Sequence, residues 1–203
     1  MEKKISPSQI VKLIFAAAYK DVPEWILEKA AEFGKDLHEA IQTYIEQPDF
    51  DEEIKEVLVA DNKVRLYEAF KNWYSKQNIK EPKTETHIED KILHGYIDLL
   101  DDKYKFKFWD YKFRNVDNKL NIAKEILQMK CYEMILKNVY GKAFGWELVI
   151  FDKKTAKVYT FSTNELTIKQ NKDFENLINT AIKILTEKTT MEEYNRNILK
   201  LEN

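Results

Sequence analysis

The sequence predicts an α/β fold with a mixed central sheet and helices on both of its faces. Three observations predict it. Helical periodicity fills the chain up to Pro82. Three strand-like segments follow between Thr84 and Phe113. A long helical stretch then separates them from a last pair of strands and further helices.

Each element has its own signal. Ser6-Pro7-Ser8 opens a first helix with Ile10, Leu13, Ile14 and Ala17 on one stripe. Asp21 to Pro23 break it, and Pro23 suits the first turn of the next helix. Trp25, Ile26, Ala30 and Phe33 continue an apolar face. Gly34 then precedes a helix carrying Leu37, Ile41, Tyr44 and Ile45, which Pro48 ends. From Asp61 to Gln77 Val64, Tyr67, Phe70 and Tyr74 share a side, and this aromatic set reads as core. Thr84–Ile88 alternates as a strand does. Asp90-Lys91 is a turn, Ile92–Leu100 a second strand, Asp101-Asp102 a second turn, and Lys105–Phe113 a third strand. Asp117 or Asn118 can cap a helix running to Asn138. Trp146–Phe151 and Lys157–Phe161 form a hairpin around Asp152-Lys153-Lys154. Ser162-Thr163-Asn164-Glu165 is a capping box for a long helix to Lys188, and Thr190-Met191-Glu192-Glu193 is a box for a terminal one.

Composition bounds the function. The 203 residues are 44% hydrophobic and 33% charged, which supports one domain over 1–203 and argues against disorder. Its parts are a helical region 1–80, a core 81–162 and C-terminal helices 163–203. The one cysteine, Cys131, excludes a disulfide framework and a four-cysteine metal or iron–sulfur site. It fits a reducing compartment, and a cytoplasmic location is expected. No apolar run is long enough to span a membrane. The net charge of −2 gives no electrostatic reason to expect a nucleic-acid partner. Only Arg65, Arg114 and Arg196 are arginines, so sequence-specific base readout is not expected.

The chemistry concentrates on the meander and the next helix. Asp98 sits late on the second strand. Asp110 and Lys112, two apart on the third, share a face. A meander brings Asp98 beside them. Two carboxylates with an ammonium nearby make a hard-oxygen site for Mg²⁺ or Mn²⁺. Gln128 and Tyr132 are four apart on the following helix, and His38 lies one turn after Gly34. Singly, each has a plainer reading: a strand-end carboxylate, a solvated lysine–aromatic alternation, ordinary helix residues. His87 and His94 are given no role. The order of the pieces is what singles the set out.

The segments GKDLHEAIQTYI, ETHIEDKILHGYIDLL, FWDYKFRN and LQMKCYEMIL, in that order, resemble the PD-(D/E)XK nuclease superfamily. The likeness is to its RecB-like branch of phage and CRISPR-associated exonucleases, here without an iron–sulfur cluster, and it covers roughly residues 25 to 140. It implies a restriction-endonuclease-like αβββαβ core with extra N- and C-terminal helices. It implies that His38, Asp98, Asp110 and the Tyr111 carbonyl hold Mg²⁺ or Mn²⁺. Lys112 would position or deprotonate the attacking water, and Glu85 would be the upstream acid. Glu89 is the alternative; Glu85 fits better by its distance from Gly95. Gln128 and Tyr132 would contact DNA phosphate or order the site.

The implied activity is metal-dependent DNA cleavage, exo- rather than endonucleolytic, on single- or double-stranded ends, in recombination, repair or phage DNA processing. A homo-oligomer or a recombination-protein partner is a further expectation, and a membrane partner is not. The rival reading is a catalytically silent nuclease fold that binds nucleic acid or a protein. A subunit of a larger helicase–nuclease or CRISPR adaptation complex is a third.

Overall fold

The computed structural model describes residues 4–20, 22–116 and 119–186. Helices come first: α1 (Pro7–Ile14), α2 (Ala16–Tyr19), α3 (Glu24–Glu46), a 3-10 turn at Pro48–Phe50, α4 (Asp51–Val57) and α5 (Asp61–Tyr74). Then come β1 (Lys83–Glu89), β2 (His94–Asp101), β3 (Lys107–Arg114) and α6 (Lys119–Tyr140). Last are β4 (Gly145–Asp152), β5 (Val158–Ser162), a 3-10 turn at Thr163–Glu165 and α7 (Ile168–Thr186).

The five strands lie in chain order, β1-β2-β3-β4-β5. All neighbours are antiparallel except β3 and β4, which are parallel. A parallel step needs a long crossover, and α6 supplies it. The sheet is therefore mixed, as expected.

Alternation along the strands builds two cores. Trp109, Tyr111 and Phe113 of β3 join Val149 and Phe151 of β4 under α3, α4 and α5, against Leu37, Ile41, Leu66 and Phe70. On the other face Phe108, Leu148 and Ile150 pack with Ile10, Leu127, Ile135 and Ile178 from α1, α6 and α7. Each fully buried side chain of this size contributes about 1.5–3 kcal/mol relative to exposure. α6 lies between the sheet and two helices. Its residues Leu127, Met129, Cys131, Tyr132, Ile135 and Leu136 are all buried, so it is apolar on more than one side.

One irregularity positions the site. β2 and β3 pair only at Leu99↔Trp109, Leu100↔Phe108 and Asp101↔Lys107. Nearer its start β2 keeps β1 but leaves β3, and the second half of β3 has β4 alone. The strands part at Asp98 and Asp110. The N-terminal segment comes in beside the start of β2, where Ile5 N–H donates to Ile92 O and His94 N–H to Ile5 O.

Several expectations are corrected. α3 is one helix of 23 residues and runs straight through Gly34. Phe33 and Leu37 stay in phase on one stripe, and a single helical glycine costs only about 1 kcal/mol. α4 was missed because DEEIKEV offers one buried apolar residue, Ile54. The box at Ser162–Glu165 forms, but it closes a 3-10 turn. α7 starts at Ile168 behind Thr167, whose Oγ1 accepts from Gln170 N–H. α5 stops at Tyr74 rather than Gln77. β3 starts at Lys107 rather than Lys105 because Asp101 Oδ1 draws the Tyr104 and Lys105 amides into the turn. The Asp117/Asn118 cap and the helix after Thr190 lie outside the described residues.

Candidate active site

Where the β2–β3 ladder stops, a side chain bridges the strands: Asp98 Oδ2 accepts from Tyr111 N–H at 2.9 Å. Its other oxygen, Oδ1, lies 3.6 Å from His38 Nδ1. Glu85 Oε1 approaches the same nitrogen at 3.7 Å. Glu85 has φ of +40°, a backbone conformation that side chains other than glycine rarely adopt. The register between β1 and β2 skips it, so the strand is locally bent there. Such strain, of order 1–3 kcal/mol, persists where surrounding structure enforces it.

His38 is held from both ends. Its Nε2 lies 3.1 Å from the carbonyl oxygen of Tyr111, and its ring packs on Tyr111 at 4.7 Å and on the edge of Phe113 at 5.9 Å. A carbonyl only accepts, so Nε2 carries the proton in that contact. Nδ1 of the neutral ring then turns its lone pair toward Asp98 and Glu85. Burial pulls the imidazole pKa down, but Asp98, Glu85 and Asp110 outweigh burial and Lys112, and the net shift is upward. Ligand atoms of His38, Glu85 and Asp98 all lie within 4.8 Å of one another, close enough to share one cation.

Asp110 and Lys112 project from the α6 side of β3. Lys112 Nζ lies 2.7 Å from Asp110 Oδ2. Asp110 Oδ1 is buried with no hydrogen-bond partner among the described residues, an expensive arrangement for a carboxylate. Burial, and then the Asp98 charge, push the Asp110 pKa up to about 6 despite Lys112. Burial works against the Lys112 ammonium, but Asp110, Asp98 and Glu125 outweigh it and keep Lys112 protonated. A lysine charged in this way is able to donate to phosphate or water.

The sequence expectation put Asp98, Asp110 and Lys112 on one sheet face. The parting strands modify this. Asp98 meets His38 under α3, Asp110 and Lys112 meet α6, and the two carboxylates interact across the gap. The group of donors within mutual reach includes Glu85 rather than Asp110. Of the two upstream acids, Glu85 lies beside His38, whereas Glu89 is exposed and paired with Lys4 at 3.0 Å. The Tyr111 carbonyl already contacts His38 and keeps a second lone pair.

On α6, Gln128 Nε2 donates to the Tyr132 hydroxyl at 2.8 Å. Tyr132 is buried. Its ring presses on β2 at Gly95, where an added Cβ would stand 2.7 Å from Tyr132 Cε1 and 3.3 Å from Pro7 Cδ. Sequence reasoning missed Glu125. It faces Lys112 and Asp110, lies 3.8 Å from Arg114, and burial pushes its pKa up. The signal was available: Glu125, Gln128 and Tyr132 are spaced three and four apart, on one helix face.

A strained strand carrying an acid, a second acid on its neighbour, a histidine over both and an acid–lysine pair one strand further on form the constellation outlined by the sequence. A family model for the PD-(D/E)XK nuclease superfamily matches residues 13–197. The chain belongs to this superfamily. No curated protein matches it. Among solved structures, this superfamily member resembles a "Putative exonuclease" from Eubacterium rectale, with a TM-score of 0.56 at 9% identity, over 92% of this chain and 83% of that one. That likeness is one of fold. A second structure, SSO0001, aligns over 91% of this chain and 77% of that one, with a TM-score of 0.43 and 13% identity.

The donor set suits a divalent cation. Carboxylate oxygens and one imidazole fit a hard metal ion, and the nearby Asp110 Oδ1 is buried with no hydrogen-bond partner among the described residues. Among the described residues no helix is long and apolar enough to cross a membrane.

Proposed function

We propose that the protein is a Mg²⁺- or Mn²⁺-dependent deoxyribonuclease that hydrolyses phosphodiester bonds from DNA ends. The observation that carries this reading is the His38–Glu85–Asp98 cluster lying next to the Asp110–Lys112 pair. A bound divalent ion would lower the pKa of water and offset phosphate charge. His38 Nδ1, Asp98, Asp110 and Glu85 would hold it, with the Tyr111 carbonyl behind. Lys112 Nζ, kept protonated, would orient the attacking water and donate to the non-bridging phosphate oxygens as their charge grows. Gln128 would reach the phosphate, and Tyr132 would fix Gln128. Glu125 would hold Lys112 in place. Recombination, repair or phage DNA processing in the cytoplasm is the setting in which such an activity serves.

The test is digestion of end-labelled linear and closed circular DNA with Mg²⁺, Mn²⁺ or EDTA, beside the Lys112→Ala protein. Metal-dependent loss of linear DNA alone, absent from the variant, is the expected result. Cutting of the circle would make the protein an endonuclease. Full activity of the variant would overturn the reading.

A further inference from the structure

The β1–β2 hairpin repeats same-face pairs at two-residue steps. Glu85 and Asp98 occupy the ladder position between the Thr84↔Leu99 and Thr86↔Ile97 pairs. The next pair outward on that face is His87 opposite Tyr96, and the one after it is Glu89 opposite His94. Each step is about 6.6–6.8 Å along the strand. The first pair belongs to the candidate metal cluster; the second is aromatic.

Those rings form a bare surface. His87 and Tyr96 have ring centroids 5.0 Å apart, and His87 and His94 are 6.2 Å apart. Tyr96 is 56% exposed and His87 is exposed, so among the described residues no helix covers this end of the face. The back of the strand is rigid: Ile97 is buried, and Tyr132 and Pro7 press on Gly95. Tyr96 is thereby pinned outward. At the outer end Lys4 neutralises Glu89, which lessens repulsion of a polyanion.

We propose that His87 and Tyr96 stack a nucleobase next to the phosphodiester that would sit at the cation held by His38, Glu85 and Asp98, and that the site thereby selects unpaired, single-stranded ends. This rests on the nuclease reading above. Two features carry it: the rings directly continue the catalytic cluster, and their spacing is that of one nucleotide in an extended strand. Base–aromatic stacking is tolerant of sequence, which fits a chain poor in arginine. Inside a duplex both faces of a base are covered by its neighbours and its edge is held by its partner, whereas a base of a single strand is free to turn onto the platform.

The test is fluorescence anisotropy in EDTA, so that binding is read without cleavage, using labelled oligothymidylate and a blunt duplex. Tyr96→Ala should weaken single-strand binding roughly 5- to 150-fold, the worth of one stacked base. Tyr96→Phe should restore it, and duplex binding should not change. An oligonucleotide with an abasic residue at its end should lose affinity for the wild-type protein but not for Tyr96→Ala. Equal loss on both substrates, no loss, or no single-strand binding by the wild type would overturn the proposal. Cleavage is scored separately with Lys112→Ala. Selective stacking without any cleavage would refute the nuclease reading and leave the platform standing.

Discussion

His38 Nε2 lies 3.1 Å from the carbonyl oxygen of Tyr111, the residue between Asp110 and Lys112. The contact fixes the tautomer of the histidine and aims Nδ1 at Asp98 and Glu85. A helix residue far from the strands in sequence is thus oriented by the backbone of the strand that carries Asp110 and Lys112. His38→Ala should weaken Mn²⁺ binding about 10- to 100-fold, as loss of an oriented ligand does. Titration calorimetry at fixed pH checks this, and unchanged affinity would remove His38 from the site.

Asp110→Ala and Lys112→Ala should each lower the cleavage rate by about 100-fold or more, with circular dichroism unchanged. Single-turnover assays separate the two. The Asp110 variant should also bind Mn²⁺ more weakly, whereas the lysine variant should bind it at least as well.

Gly95→Ala should destabilise the protein by about 1–3 kcal/mol, the usual cost of overpacking. The added methyl meets a buried ring at 2.7 Å rather than a flexible side-chain end. Urea denaturation measures it. Combining the change with Tyr132→Ala should cost less than the sum of the two, because the clash is then gone.

Asp51 gives a pH prediction. Burial raises its pKa, but Lys71, Tyr67 and Lys55 outweigh burial and hold it down to about 2, below the ordinary 3.8. A depressed carboxylate stabilises the fold above its unfolded pKa, and that contribution disappears as pH falls through the folded one. The stability gap between wild type and Asp51→Asn should therefore be full at pH 7 and close between about pH 4 and pH 2. A gap independent of pH would show that the carboxylate charge does not matter there.

Cys131 is buried, and burial pushes its thiol pKa up to about 12. Thiolate is the reactive form. A thiol reagent at pH 8 should label the protein only after denaturant is added; rapid labelling of the native chain would contradict the packing.

Much of the fold was legible because periodicity reports burial. The alternation in KFWDYKFR predicted β3, and the stripe of Leu37, Ile41, Tyr44 and Ile45 predicted the second half of α3. What periodicity reports poorly is where an element stops. Gly34 reads as a break because a glycine lowers helix propensity, yet the helix runs through it, anchored by the buried Leu37, Ala40 and Ile41 that follow while residues 24–32 before it are exposed. The candidate site was legible as residue types in order, not as geometry. Side-chain period predicts faces for a regular ladder. It carries no information about a strand that bends at a positive φ, as at Glu85, or about two strands that separate, as at Asp98 and Asp110. Glu125 was overlooked for another reason: an acid on a helix rich in lysine looks solvated until the helix is known to lie against Lys112.

The half of β3 that carries Asp110 and Lys112 has a consequence for synthesis. Residues 110–114 are laddered to β4 alone, and β4 ends at Asp152. A nascent chain that has emerged as far as Tyr140 already contains His38, Glu85, Asp98, Asp110, Lys112 and Tyr132. It has no strand on which to hold Asp110 and Lys112. The arrangement is completed only when the crossover is made and β4 docks, so the residues proposed to cut nucleic acid are all translated before the fold can hold them together.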